Sequence, residues 1–232
     1  FARRDASLTL DFLLPDSYIE ALGTQSLTVY VNYKFQDLPD EAFYSDNYKT
    51  IQFQITPSKP LYIRFYPVQN KGVFPPSLEW VKIIDYLRKT YPTGEIYPSF
   101  GMPLYGKDYA WTAVGGGCGK GWGDLLKDLW YLRGGTGPVA YGEVPEQTVT
   151  KYGGCGAMGS PEAAGLAGTF EDGNIAAQEV GHTLGLQHVP GCKAGSPDLN
   201  YPIPDGGLDE YGIDPLTLRV YSSNLYTSNG AF

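Results

Sequence analysis

The stretch Asn174-Ile175-Ala176-Ala177-Gln178-Glu179-Val180-Gly181-His182-Thr183-Leu184-Gly185-Leu186-Gln187-His188 contains both histidines of this 232-residue chain. A helix is predicted over residues 174–186. On it Gln178 and His182 stand at i and i+4, so their side chains leave one face a turn apart and can converge on a single ion. Glu179 sits beside them. Gly185 can take the left-handed backbone that ends a helix, and that reversal brings His188 back toward the same point from outside the helix. Three ligands and an open fourth position describe a catalytic zinc site. A lone histidine on a helix is usually structural, but here both histidines of the chain fall on ligand positions of one pattern.

Upstream of this helix, strands and helices alternate. Leu61, Ile63 and Phe65 make a strand; Pro75-Pro76-Ser77 introduces a helix with Ser77 as N-cap and Leu78, Val81, Ile84, Tyr86 and Leu87 as its apolar positions, stopping near Tyr91-Pro92. Glu95 to Phe100 is a short strand. After a glycine cluster at residues 115–123, Asp124 is expected to cap a helix through Leu132. Lys120 is followed by Gly121, so the cluster lacks the Lys-Ser/Thr ending of a phosphate loop. Residues 138–144 and 149–158 read as two more strands. Before residue 58 the grammar is different: Leu8, Leu10, Phe12, then Leu27, Val29, Val31, Tyr33, Phe35, then Ile51, Phe53, Ile55 all alternate with period two. The expected organisation is therefore an antiparallel β piece over residues 1–57 followed by an α+β domain over 58–232.

Composition agrees with a folded chain and narrows its partners. Hydrophobic residues make up 42%, with 19 Tyr, 10 Phe and 4 Trp, too many core-formers for disorder. The net charge of −8, with no cluster of Lys and Arg, argues against a nucleic-acid partner. No apolar run reaches the roughly 18 residues of a membrane span, and Phe1-Ala2-Arg3-Arg4-Asp5 lacks a signal-peptide core, so a soluble mature fragment is expected. Cys118, Cys155 and Cys192 form no CxxC pair. An odd count leaves one unpaired, and a disulfide between two of the three is expected if the protein is extracellular.

The 178–188 stretch resembles the HExxHxxGxxH signature of the metzincin clan of zinc metallopeptidases, matching at Glu179, His182, Gly185 and His188 and departing at Gln178, where the clan has histidine. The order of elements from residue 61 is similar as well, so the resemblance covers roughly residues 58–215. It implies a mixed sheet with an active-site helix, a zinc cofactor held by Gln178, His182 and His188, and Glu179 as the general base of peptide hydrolysis. It also implies that a protein or peptide substrate lies along the strand Tyr152-Gly153-Gly154-Cys155-Gly156-Ala157-Met158 by β-augmentation. The tail after His188 is reminiscent of secreted bacterial members carrying immunoglobulin-like or adhesion-type β domains. The clan places a methionine turn after the third ligand, whereas Met102 and Met158 both precede it. The chain is expected to end before that turn, the alternative being a replacement within Tyr221 to Tyr226.

A glutamine amide is a weaker donor to zinc than imidazole and has no second ring nitrogen to be oriented. Weak or absent zinc and poor hydrolysis are therefore expected. The rival reading is a catalytically dead binding or structural module that uses the inherited cleft, and a third is a zinc site that genuinely uses Gln178. The glycines at 153, 154 and 156 suit either close approach of a substrate backbone or a bulged edge strand. Asp198, Asn200, Asp205, Asp209, Glu210 and Asp214 offer oxygen donors for calcium without the spacing of an EF-hand. Nothing in the sequence fixes the oligomeric state.

Overall fold

The computed structural model describes residues 20–30, 48–111, 118–135, 137–146, 153–169, 171–190, 197–203, 212–213 and 220–221. The chain divides into two compact units, one within residues 7–58 and the other from residue 59 onward. In the first, β1 (Gly23–Tyr30) and β2 (Tyr48–Ile55) pair antiparallel, with Leu27 opposite Ile51 and Tyr30 opposite Tyr48. Alternation places Leu27, Val29, Ile51, Phe53 and Ile55 on one face. The other face is held by hydroxyl and amide contacts, Thr24 Oγ1 donating to Gln54 Oε1 at 2.8 Å and the Thr28 and Thr50 hydroxyls meeting at 2.8 Å. The expected strand at Leu8 to Phe12, and Val31 to Phe35, lie outside the described residues.

The larger unit is built on a five-stranded mixed sheet in the order β4-β3-β5-β7-β6, formed by β3 (Leu61–Pro67), β4 (Ile96–Phe100), β5 (Val139–Pro145), β6 (Gly154–Gly156) and β7 (Glu162–Ala167). β4, β3, β5 and β7 run parallel and β6 is antiparallel to β7, an α+β arrangement as the alternating grammar predicts. β5 is buried along its whole length, which is why Val139-Ala140-Tyr141-Gly142-Glu143-Val144-Pro145 reads as a nearly continuous apolar run. Its alternate residues feed two cores. Val139 and Tyr141 join Ile63, Phe65, Ile83, Leu87 and Val180 beneath the helices α1 (Glu79–Thr90) and α3 (Asp172–Thr183). Ala140 and Val144 join Tyr66, Val68, Trp122, Leu125 and Leu129 beneath α2 (Lys120–Arg133). Each fully buried aliphatic side chain contributes about 2 kcal/mol.

The helix boundaries differ from the sequence expectation for identifiable reasons. α1 starts after Leu78, whose backbone is left-handed at φ 74°, and Ser77 makes no side-chain cap. α2 begins four residues before Asp124. Trp122 is 1% exposed and packs edge-on against Trp111, so tertiary contact draws this glycine-containing turn into the helix, and Asp124 pairs with Lys120 inside it at 2.5 Å. α3 spans 172–183 rather than 174–186, because Asp172 fastens the preceding turn and the chain reverses at Leu184-Gly185. The strand expected over 149–158 reduces, among described residues, to Gly154–Gly156, with Ala157 and Met158 in the turn to β7. Two short strands, β8 (Gly212–Ile213) and β9 (Val220–Tyr221), pair antiparallel near the end of the chain, and residues 222–226 lie outside the described residues. Among the described residues no helix is long and apolar enough to cross a membrane.

Candidate functional site

The exit of α3 is shaped by Gly185, whose φ of 91° is the left-handed conformation the sequence predicts. The Leu186 N–H donates to the Gly181 carbonyl at 3.0 Å and the Gly185 N–H to the His182 carbonyl at 3.0 Å, a hydrogen-bonded reversal that turns the chain back along the helix. The reversal aims the Leu186 carbonyl at His182, whose Nδ1 donates to it at 2.7 Å. That contact fixes the imidazole's tautomer and orientation and leaves Nε2 as its lone-pair nitrogen, the way ligand histidines are held. The chain then delivers His188, whose ring lies 4.6 Å from that of His182 and nearly perpendicular to it at 78°. His188 is itself anchored by its backbone, its carbonyl accepting the Asp198 N–H at 2.8 Å.

Gln178 joins this pair from α3 itself. Its Nε2 donates to His188 Nε2 at 3.2 Å, so the three residues singled out as ligands do converge. What converges is two imidazoles and one amide. Among the described residues no group of three or more His, Cys, Asp and Glu side chains is placed to hold a metal ion. Burial lowers the pKa of His182, partly offset by the Leu186 carbonyl, and His188 lowers it further.

Glu179, three residues before His182 on α3, lies against β6. It is 6% exposed, and burial pushes its pKa up to about 8 against the opposing pull of the Gly156 N–H, which donates to its carboxylate. The same contact explains the glycines of this strand. A Cβ on Gly156 would stand 2.1 Å from the Glu179 carbonyl oxygen and 2.9 Å from His182 Cβ; one on Gly154 would stand 2.7 Å from Glu179 Cγ. At Gly156 the space is taken by α3, and at Gly154 by α3 together with the Ala164 carbonyl of β7. Gly154 and Gly156 therefore serve helix-on-strand packing, an explanation beyond the substrate approach and the bulge considered from sequence. Gly153 packs more loosely, with Ile175 3.2 Å from where its Cβ would be.

β6 ends the sheet, pairing with β7 through Gly154 opposite Gly165, Cys155 opposite Ala164 and Gly156 opposite Ala163. Met158, in the following turn, is 51% exposed. Tyr152 lies outside the described residues. Cys155 is bonded to Cys118, a bridge spanning 37 positions, which constrains the unfolded chain by about 4 kcal/mol. Cys192 lies outside the described residues. Of the oxygen donors considered for calcium, Asp198 accepts the Asn200 N–H at 2.9 Å in a local turn, and Asp205, Asp209, Glu210 and Asp214 lie outside the described residues.

Two buried polar groupings escaped sequence reading. At the start of α3, Asp172 accepts the Gly168 N–H at 2.9 Å, the Thr169 N–H at 2.7 Å and the Thr169 hydroxyl at 2.6 Å. Near it, burial, with Glu79 and Asp172 alongside, pushes the Glu143 carboxyl up to about 7 despite a hydrogen bond from the Trp80 N–H. Glu143 Oε1 has no hydrogen-bond partner among the described residues. A carboxylate inside the apolar run 139–145 was the available signal. The second grouping joins Arg133 to Glu162, 29 positions apart, for which the sequence holds no signal. No protein-family model matches the chain, and no curated protein matches it in sequence.

Proposed function

We propose that the larger unit is a zinc-endopeptidase scaffold, metzincin-like in its site, whose metal centre is impaired by Gln178. The observation that carries this reading is the convergence of the two histidines. His182 is held through Nδ1 by a backbone carbonyl 2.7 Å away, and His188 is brought edge-on to it at 4.6 Å by a glycine-dependent reversal. Structural histidines need no such pairing. The donor set fits zinc at two positions and not at the third, because Gln178 turns an amide toward His188. When bound in such a site, zinc supplies Lewis-acid polarisation of the scissile carbonyl and acidifies water.

The chain's own residues supply the rest. Glu179, one residue from Gln178 and buried with its proton affinity raised, is suited to take a proton from water and hand it to a leaving amine. β6, the last strand of the sheet, is suited to align an extended protein or peptide substrate by main-chain hydrogen bonds. The Cys118–Cys155 disulfide supports a secreted or extracellular setting. A second reading, a binding module without catalysis, is favoured by the Gln178–His188 hydrogen bond, which holds the inherited site together by an amide.

The test is proteolysis of an unfolded protein by Gln178→His beside the chain as it stands, both supplied with zinc. Cleavage by the variant alone, stopped by a chelator, is the expected result. Two folded proteins that both fail to cut would displace the peptidase reading in favour of the binding module.

A further inference from the structure

We infer that α2 braces the edge strand of the candidate cleft from both of its ends, and that Arg133 is the positioning residue at the non-covalent end. The inference deepens the peptidase-scaffold reading, since the strand being fixed is the one that would align a peptide. β6 is three residues long and, among the described residues, pairs only with β7, too little to hold an edge strand in place by itself. α3 presses on one side of it through Gly154 and Gly156. α2 supplies the other anchors. Two residues before its start, Cys118 is bonded to Cys155, the middle residue of β6.

At the far end of α2, Arg133 Nε donates to Glu162 Oε1 at 3.0 Å, with side chains 8% and 3% exposed. Arg133 Nη2 donates to the Gly135 carbonyl at 3.1 Å, tying the guanidinium to the helix end. The other Glu162 oxygen accepts the Ser160 hydroxyl. From there the contacts run into the β6–β7 turn: the Ala157 N–H donates to the Glu162 carbonyl at 2.9 Å, and the Gly159 N–H donates to the His182 carbonyl at 3.2 Å. A hydrogen-bonded path thus joins the end of α2 to the histidine-bearing end of α3 through the turn that follows the edge strand. A buried ion pair adds little net stability over apolar packing of the same volume. Its contribution here is orientation, because the guanidinium holds the carboxylate, and the carboxylate holds the turn.

Hydrogen–deuterium exchange of residues 154–159 in the full chain tests the brace without zinc. Arg133→Met is expected to speed exchange there about tenfold or more while α1 keeps its rates, and Arg133→Lys to recover part of the protection. In the Gln178→His background supplied with zinc, Arg133→Met is expected to raise KM about tenfold with kcat within about threefold, the signature of a misplaced binding strand. Unchanged exchange at 154–159 in a folded Arg133→Met overturns the inference, whatever happens to Tm. If Gln178→His neither binds zinc nor cuts, the peptidase reading falls, and the exchange experiment still decides the brace. Should Arg133→Met fail to fold, Ser160→Ala removes only the hydroxyl contact and is expected to speed exchange at Gly159 about threefold. Unchanged rates there overturn the inference equally.

Discussion

The two ends of α3 both bury ionisable side chains, and they bury them differently. At the N-terminal end the hydrogen bonds of Asp172 are local, accepted from the Gly168 and Thr169 N–H groups and the Thr169 hydroxyl of the turn that leads into the helix. Glu143 accepts the Trp80 N–H near the start of α1, and Glu79 pairs with Lys82 at 2.6 Å. Glu143 thus ties the start of α1 to the sheet, and Asp172 ties the start of α3 to the turn after β7. At the C-terminal end His182, His188 and Gln178 face one another, beside exposed Met158, Leu184 and Leu186. Burial alone does not mark a functional group; polar groups that converge from separate segments beside an accessible surface do.

The largest effect expected at either end comes from Gly156→Ala. The added methyl has no room beside the Glu179 carbonyl, at 2.1 Å, and the obstacle is helix backbone. A loss of about 3 kcal/mol or more is expected in urea unfolding. Unchanged stability would mean that β6 does not press on α3, and the C-terminal end would lose its packing explanation.

Glu143→Gln probes the opposite end through pH. The folded protein holds this carboxyl at about 7 against an ordinary 4.5, so it favours the protonated form. The stability that comes with the bound proton is fully present below about 4.5 and is lost as pH rises through about 7. A glutamine, which never ionises, should therefore match the parent at pH 4 and exceed it at pH 8 by on the order of 2 kcal/mol. Urea midpoints across that range measure it. A variant that is less stable at pH 8 would show that the charged carboxylate is wanted there, and the N-terminal end would no longer be merely structural.

The smallest stability change is assigned to Gly185→Ala, where a side chain at φ 91° meets no neighbour within 4 Å. About 1 kcal/mol is expected from the backbone alone. The informative readout is the NMR signal of His182 Nδ1, which should lose its Leu186 partner as the turn adjusts. A retained signal would detach the histidine geometry from the glycine reversal.

Much of the C-terminal end was legible in sequence because its logic is local. The i, i+4 spacing of Gln178 and His182, the left-handed Gly185 and the return of His188 all follow from helix geometry over eleven residues. The strand at β5 and the strand-and-helix grammar from residue 61 were legible for the same reason. The role of Gly154 and Gly156 was not, because the atoms that leave no room for a side chain belong to β7 and to a helix that follows more than 15 residues later. Lys120 to Gly123 read as a loop because two glycines in four residues oppose a helix, and the burial of Trp122 overrides them. Arg133 and Glu162 carry no mark of their pairing, since an ion pair between distant positions has no periodicity to betray it.

We propose that the histidine-bearing end of α3 is a zinc site lacking one ligand. Calorimetric titration of zinc into Gln178→His and into the chain as it stands tests it most directly. The expected result is one zinc per chain in the variant, bound at least about a hundredfold more tightly than in the parent. Equal affinity, whether because both bind tightly or because neither binds, would contradict the claim.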